Sequence, residues 1–319
     1  MYQSRFSHDI NEMLAVLRNG GLQIQYIDFF LHDFDDFCIA NYPDEDVLSD
    51  TIAEEWIHNT SSESRCHMSR RVRTMVHLGE YQQALGKAAY VPGYRIHYAH
   101  AEEPRLFSDE QLAEFFELVD SIITNTPTFP HNDMVFPVLF RMNYSSGLRS
   151  SESCNLKVED VDLVQGKLRI FNSKGFKDRE IPISDDLCSL CRSFHNAYSN
   201  VVPNRKYFFQ PSQTRECYNS SIVGKVFDSV LKRTTFYETT GKKFTAHGLR
   251  HLFAVQNIKK CAESGENFYN WMQYLCKYMG HKHIRYTMYY LHITSQLFPV
   301  YSKKLEELEE RVGVVYVED

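Results

Sequence analysis

The stretch TAHGLRHLFAVQ, Thr245 to Gln256, sets His247, Arg250 and His251 among the apolar residues Leu249, Leu252, Phe253 and Ala254. It reads as the start of a helix. Two explanations fit so mixed a composition. Either the helix simply has a mixed face, or His247 and Arg250 converge on an anion. The stretch alone leaves both open, so the reading has to work outward.

Three further stretches carry residues of the same chemical kind. YSSGLRSSESCNLKVEDVDL places Arg149 two residues after Gly147 and ahead of Glu152. GKLRIFNSKGFKDREIPIS holds two β-prone runs, Leu168–Asn172 and Arg179–Ile183, around a turn at Gly175, which is a hairpin signal. Lys174 sits at its tip. YMGHKHIRYTMYYLH supplies His281, then Tyr290, with His292 two residues later. Taken singly these are ordinary: a surface arginine, a solvated hairpin lysine, a glycine–histidine pair closing a helix.

Taken together and in this order, they resemble the tyrosine recombinase (phage integrase) family. That family carries an arginine in a G-[LM]-R-x-S-E context, a hairpin lysine, an H-x-x-R motif, a G-H pair and a tyrosine nine residues after that histidine. Arg149, Lys174, His247, Arg250, His281 and Tyr290 match these positions. The resemblance covers the second domain and, more loosely, the first. The longer segment between Arg250 and His281, CAESGENFYNWMQ, and the TSQLFP after the tyrosine look like the transposon-encoded branch.

The resemblance implies a mainly α fold with a small antiparallel β-hairpin or sheet, and a helical N-terminal core-binding domain ahead of the catalytic domain. It implies a site-specific recombinase that integrates or excises a mobile element through a 3′-phosphotyrosine intermediate and a Holliday junction. Double-stranded DNA is the partner, with a homotetramer on DNA, a monomer or dimer free, and accessory DNA-bending proteins possible. No cofactor and no metal are expected, because bond energy is kept in the phosphotyrosine link. Type IB topoisomerases, telomere resolvases and a non-catalytic DNA-binding regulator are the rival readings on the same scaffold.

The residue types suit that chemistry. Tyrosine is mostly protonated near neutrality, its pKa being about 10, so it must be placed in line with the phosphodiester. Arg149 and Arg250 can clamp the non-bridging oxygens through planar N–H forks. His247 and His281 can donate hydrogen bonds or take the phenolic proton. Lys174 can reach the 5′ oxygen as general acid, and it is preferred over Lys177 because it directly precedes Gly175. Tyr290 is preferred over Tyr286 and Tyr289 by its spacing from His281. His251 reads as a structural neighbour and His283 as surface. Glu152 reads as structural support, one turn from Arg149 and able to orient its guanidinium.

Composition sets the frame. The chain has 319 residues, 43% hydrophobic and 24% charged, with a net charge of -6 and a pI near 6.2. An acidic total does not exclude a DNA partner if basic residues gather on one face. Arg70, Arg71 and Arg73 in RCHMSRRVR, and Lys242 and Lys243, are the expected DNA-binding residues. Three parts are expected: a helical domain over 1–103, a catalytic domain over 104–295 and a helical tail over 296–319. Ser49 and Ser108 read as helix N-caps, the latter with Gln111 as the partner of a capping box. In the tail, Tyr301, Leu305, Leu308 and Val312 share one helical face, a stripe that needs a groove in its own or a neighbouring protomer. Eight scattered cysteines fit reduced, packed thiols. Cys188 and Cys191, followed by His195, lack a further ligand pair for zinc. With no apolar run of membrane-spanning length and no secretory leader, a cytoplasmic protein is expected, associated with the nucleoid when on DNA.

Overall fold

The computed structural model describes residues 1–22, 24–59, 65–96, 105–121, 126–171, 178–237, 244–264 and 266–297. The hairpin tip with Lys174, the pair Lys242 and Lys243, most of the 92–104 linker and the tail from 298 lie outside the described residues. The chain divides into two compact units, Met1–Glu102 and Glu103–Asp319.

The first unit is helical: α1 (Ser7–Asn19), α2 (Gln25–Asn41), α3 (Asp50–His58) and α4 (Arg65–Ala84). Phe6, Ile27, Phe34, Trp56, Met75 and Leu78 form its core. Helix α3 begins where its sequence says it should, with the Ser49 hydroxyl accepting the Ile52 amide at 3.2 Å. That bond satisfies one of the amides a helix start leaves without a partner.

Helix α4 corrects one expectation. Arg70 and Arg73 are exposed, but Arg71 is 4% exposed. It lies four and seven residues before Met75 and Leu78, so helical spacing turns it inward with them. Its guanidinium is 3.0 Å from Asp33 Oδ2, donates to the Trp56 carbonyl at 3.1 Å and stands 4.5 Å from the centre of a Trp56 ring. Arg71 is therefore packed into the core of this unit, on Trp56 and against Asp33, rather than displayed with Arg70 and Arg73.

The second unit runs α5 (Asp109–Asp120), α6 (Asn132–Ser146), α7 (Ser150–Cys154), β1 (Val161–Asp162), β2 (Lys167–Ile170), β3 (Arg179–Pro182), α8 (Asp185–Val201), α9 (Ser220–Leu231), α10 (Ala246–Ser264), α11 (Phe268–Met279) and α12 (Arg285–Leu297). The mainly helical fold with one small antiparallel sheet is as expected. Its strands are ordered β1-β2-β3, with Leu168 opposite Ile181 and Ile170 opposite Arg179. Alternation turns Leu168 and Ile170 into the core and leaves Arg169 outside. The capping box of α5 is complete: Ser108 Oγ accepts the Gln111 amide at 3.2 Å and Gln111 Oε1 accepts the Ser108 amide at 3.1 Å.

Helix α6 lies at the centre of this unit, with Phe136, Leu139 and Phe140 fully buried. A smaller core joins α10, α11 and α12 through Val255, Ile258, Met272, Leu275, Met279 and Leu291. It holds the C-terminal part of the candidate site. On α8, Cys188 and Cys191 are buried, and burial pushes the Cys191 thiol up to about 12. Among the described residues no group of three histidine, cysteine or acidic side chains is placed to hold a metal ion, and no helix is long and apolar enough to cross a membrane.

Candidate active site

Two helices end on glycines in the left-handed region, α6 at Gly147 (φ 60°) and α11 at Gly280 (φ 66°). Both positions also need the absence of a side chain. A Cβ on Gly147 would stand 2.4 Å from the Phe253 ring, and one on Gly280 2.8 Å from Arg179 Nη1. These tight stops aim backbone carbonyls at arginines from distant motifs. Arg250 Nη1 donates to the Gly147 carbonyl and Nη2 to that of Met279 at 2.7 Å. Arg149 Nη2 reaches the Gly280 carbonyl at 3.4 Å.

Glu152 ties the arginines together. It is 7% exposed. Oε2 accepts the Arg149 backbone amide at 2.9 Å, while Oε1 meets Arg149 Nη1 at 2.8 Å. Arg179, on β3, grips both oxygens at 3.0 and 2.9 Å and donates Nε to the Tyr278 carbonyl at 2.8 Å. Arg250 Nη1 stands 3.9 Å from Oε2. Burial pushes the Glu152 carboxyl up, but the bonds and charge of Arg179, then of Arg149, outweigh it and hold the carboxyl below its ordinary range. Three guanidiniums thus share one carboxylate, which leaves the pocket positively charged.

Arg250 is 1% exposed. Burial and the charge of Arg149 lower its pKa to about 10, so it stays protonated at neutral pH. Its Nη2 also meets His281 Nε2 at 2.9 Å. A guanidinium only donates, so that ring nitrogen accepts, and His281 is neutral with its proton on Nδ1. Nδ1 is 2.7 Å from the Thr287 hydroxyl. Burial, followed by the charges of Arg250, Arg149 and Arg179, pushes His281 down to about 3.

The Tyr290 ring runs near-parallel to that of His281, centres 6.2 Å and planes 14° apart, and is 3% exposed, whereas Tyr289 and Tyr286 are 39% and 47% exposed. Its hydroxyl is 3.0 Å from His251 Nδ1. Burial raises the phenol pKa, while the charge and hydrogen bond of Arg250 oppose the rise. His251 is pushed down to about 3 by burial, with His247 and Arg250 adding to the effect. His247 packs edge-on against His251, ring centres 4.7 Å apart. It opens to solvent, and partial burial with the charges of Arg250 and Arg149 lowers its pKa.

Arg149, Arg250, His281, Tyr290 and Glu152 therefore meet in one pocket, with His247 at its rim. The sequence reading left Arg179 unmarked and took His251 for a structural neighbour. Arg179 has no local signal, since its partner Glu152 is 27 residues away. His251 had one: it sits one helical turn after His247 and beside Arg250.

Residues 116–296 match the profile of the phage integrase family. The chain belongs to the phage integrase family. The matched span holds every residue of the pocket, from Arg149 to Tyr290. The tyrosine recombinase XerA of Pyrococcus furiosus is 25% identical over 212 residues, covering 66% of this chain and 63% of XerA. This chain thus spans less than two thirds of that relative. A Sinorhizobium fredii protein provisionally named integrase/recombinase y4rB is 23% identical over 312 residues, 95% of this chain and 98% of its own. The fold of this phage integrase family member is shared with the Tn1549 transposon integrase in complex with a circular intermediate DNA (TM-score 0.61, 15% identity, 87% of this chain and 93% of that one). It is shared also with a lambda integrase dimer bound to a COC′ core site (TM-score 0.60, 15% identity, 89% and 76%).

The neutral histidines give this integrase-family pocket a pH signature. Their folded pKa values lie below the ordinary value of about 6.5, so the unfolded chain takes up protons that the folded one refuses. Stability is then full above about pH 6.5 and falls as pH drops toward the folded values near 3 for His251 and His281. The urea midpoint is expected to drop between pH 7 and 4, and His281→Asn to flatten that slope. An equal slope in the variant contradicts the buried neutral state of His281.

Proposed function

We propose that the chain is a site-specific DNA recombinase of a mobile element, cutting and rejoining duplex DNA through a 3′-phosphotyrosine intermediate on Tyr290. One observation carries the reading: a buried tyrosine hydroxyl beside Arg250 and His281, in a pocket where three guanidiniums share one carboxylate. Such a pocket favours an entering phosphodiester and the charge that grows on its oxygens. Arg149 and Arg250 clamp the non-bridging oxygens, His247 adds a hydrogen bond once an anion is present, and His281 holds Arg250 in place. Lys174, on the β2–β3 connection, protonates the leaving 5′ oxygen. The phosphotyrosine keeps the bond energy, so rejoining needs no ATP.

The first unit serves as the core-binding domain. Exchange proceeds through a Holliday junction in a homotetramer, with DNA-bending proteins as accessories. The match to the phage integrase family profile and the likeness to a tyrosine recombinase support a recombinase over a topoisomerase. The test is covalent trapping on nicked duplexes tiled across the DNA flanking the gene, beside relaxation of a plasmid that lacks that DNA. A covalent complex on a defined flanking sequence, with no relaxation of the plasmid, is expected. Efficient relaxation of the unrelated plasmid points instead to a topoisomerase.

The exposed pair on α4 offers a second check. Phosphate contacts release counterions, and each contributes about -0.9 to the log–log salt slope of binding to duplex DNA. Arg70→Glu with Arg73→Glu should therefore make the slope shallower while the protein stays folded. An unchanged slope makes these residues an ordinary solvated helix face. Arg71→Glu, by contrast, sets a carboxylate beside Asp33 in the core and should cost the fold itself.

A further inference from the structure

The geometry points to His251 as the base that takes the proton from the Tyr290 hydroxyl, a role that rests on the recombinase reading above. The phenol has one proton to give and oxygen lone pairs to share. The charge of Arg250 acts on that oxygen, but a guanidinium accepts nothing. The phenol's own proton needs a lone pair, and His251 Nδ1 stands 3.0 Å away. His281 is already committed, its Nε2 to Arg250 and its Nδ1 to Thr287. His247 meets His251 edge to face and opens outward.

The surroundings make this base conditional. Around His251 stand Arg250 and His247 on its own helix and Tyr290 from α12. With no anion in the pocket, burial and the charge of Arg250 keep the ring neutral and a weak base. A phosphodiester brings a negative charge among Arg149, Arg250 and His251, which makes a second positive charge there less costly. The phenol is then deprotonated when DNA is in place and stays inert when it is not.

The step balances without another reactant. The Tyr290 O–H bond breaks and its proton passes to His251 Nδ1. The phenolate oxygen bonds to phosphorus, the bond from phosphorus to the 5′ oxygen breaks, and Lys174 protonates that oxygen. Rejoining returns the 5′ hydroxyl proton to Lys174 and the His251 proton to Tyr290.

Single-turnover cleavage of the tiled nicked duplexes by the parent, His251→Asn and His247→Asn between pH 6 and 9 tests the role. Asparagine keeps a hydrogen-bonding group near the Nδ1 position and cannot carry the proton. The expected result is parental gel-shift affinity for His251→Asn with cleavage slowed about 10²–10⁴-fold, recovering as pH rises. Parental cleavage by His251→Asn, or a loss confined to His247→Asn, overturns the assignment and leaves the recombinase reading standing. Absence of any adduct with the parent protein overturns both. Nitrogen-15 NMR of the parent protein without DNA decides independently of how the variant folds. The assignment requires Nδ1 of His251 to be the unprotonated nitrogen, and an Nδ1–H tautomer contradicts it.

Discussion

Tyr290→Phe is expected to bind duplex DNA as the parent does and to cut none of it. The change removes one oxygen from a ring that is 3% exposed. The ring keeps its place beside His281 and in the core between α10 and α12. The hydrogen bond lost to His251 contributes on the order of 1 kcal/mol, too little to unfold the unit. What disappears is the proposed nucleophile: the hydroxyl packed against His251 belongs to Tyr290, while Tyr289 and Tyr286 are exposed. Adduct formation on nicked duplexes, gel shift and thermal unfolding measure the three quantities separately. An adduct that persists in the variant moves the chemistry to another residue.

The largest expected loss of stability follows Glu152→Gln. The carboxylate is the shared partner of Arg149, Arg179 and Arg250. An amide of the same shape can accept from one side but turns N–H groups toward a guanidinium on the other. The variant leaves buried positive charges without their counter-charge, a change that costs about 3–5 kcal/mol where one partner of a buried pair is removed. The pH dependence has a definite sign. Because the folded carboxyl lies below its ordinary range, its stabilisation is present above the unfolded value of about 4.3 and is lost as pH falls through the folded value. Urea unfolding should show the parent losing this contribution in acid and the variant lacking it throughout. A variant as stable as the parent at pH 7 means the arginines are held by their backbone carbonyls alone.

Local interactions were legible in the sequence because both partners are near neighbours. Ser49 and Ser108 cap helices three residues away from the amides they bind. The two strands of the hairpin announce themselves as two β-prone runs a few residues apart in the sequence. The pairing of Arg149 with Glu152 is also local, three residues apart. Long-range partners left no such mark. Arg71 reads as one cation in a basic run until Asp33 and Trp56 are seen closing over it. Arg179 reads as a strand charge until α7 brings Glu152 across to it. His251 was visible as a residue but not as a partner, since its contact is with Tyr290, 39 positions away. The motifs marked Arg149, Arg250, His281 and Tyr290, and the packing of α6, α7 and α10–α12 is what brings them together.

The most direct measurement is the mapping of the covalent adduct. A nicked duplex whose cleaved end diffuses away traps the protein on DNA, and digestion followed by mass spectrometry identifies the modified peptide. The account predicts a deoxynucleotide 3′-phosphate on Tyr290. A modified Tyr289 or Tyr286, or a protein that binds the duplex and never joins it, contradicts the account.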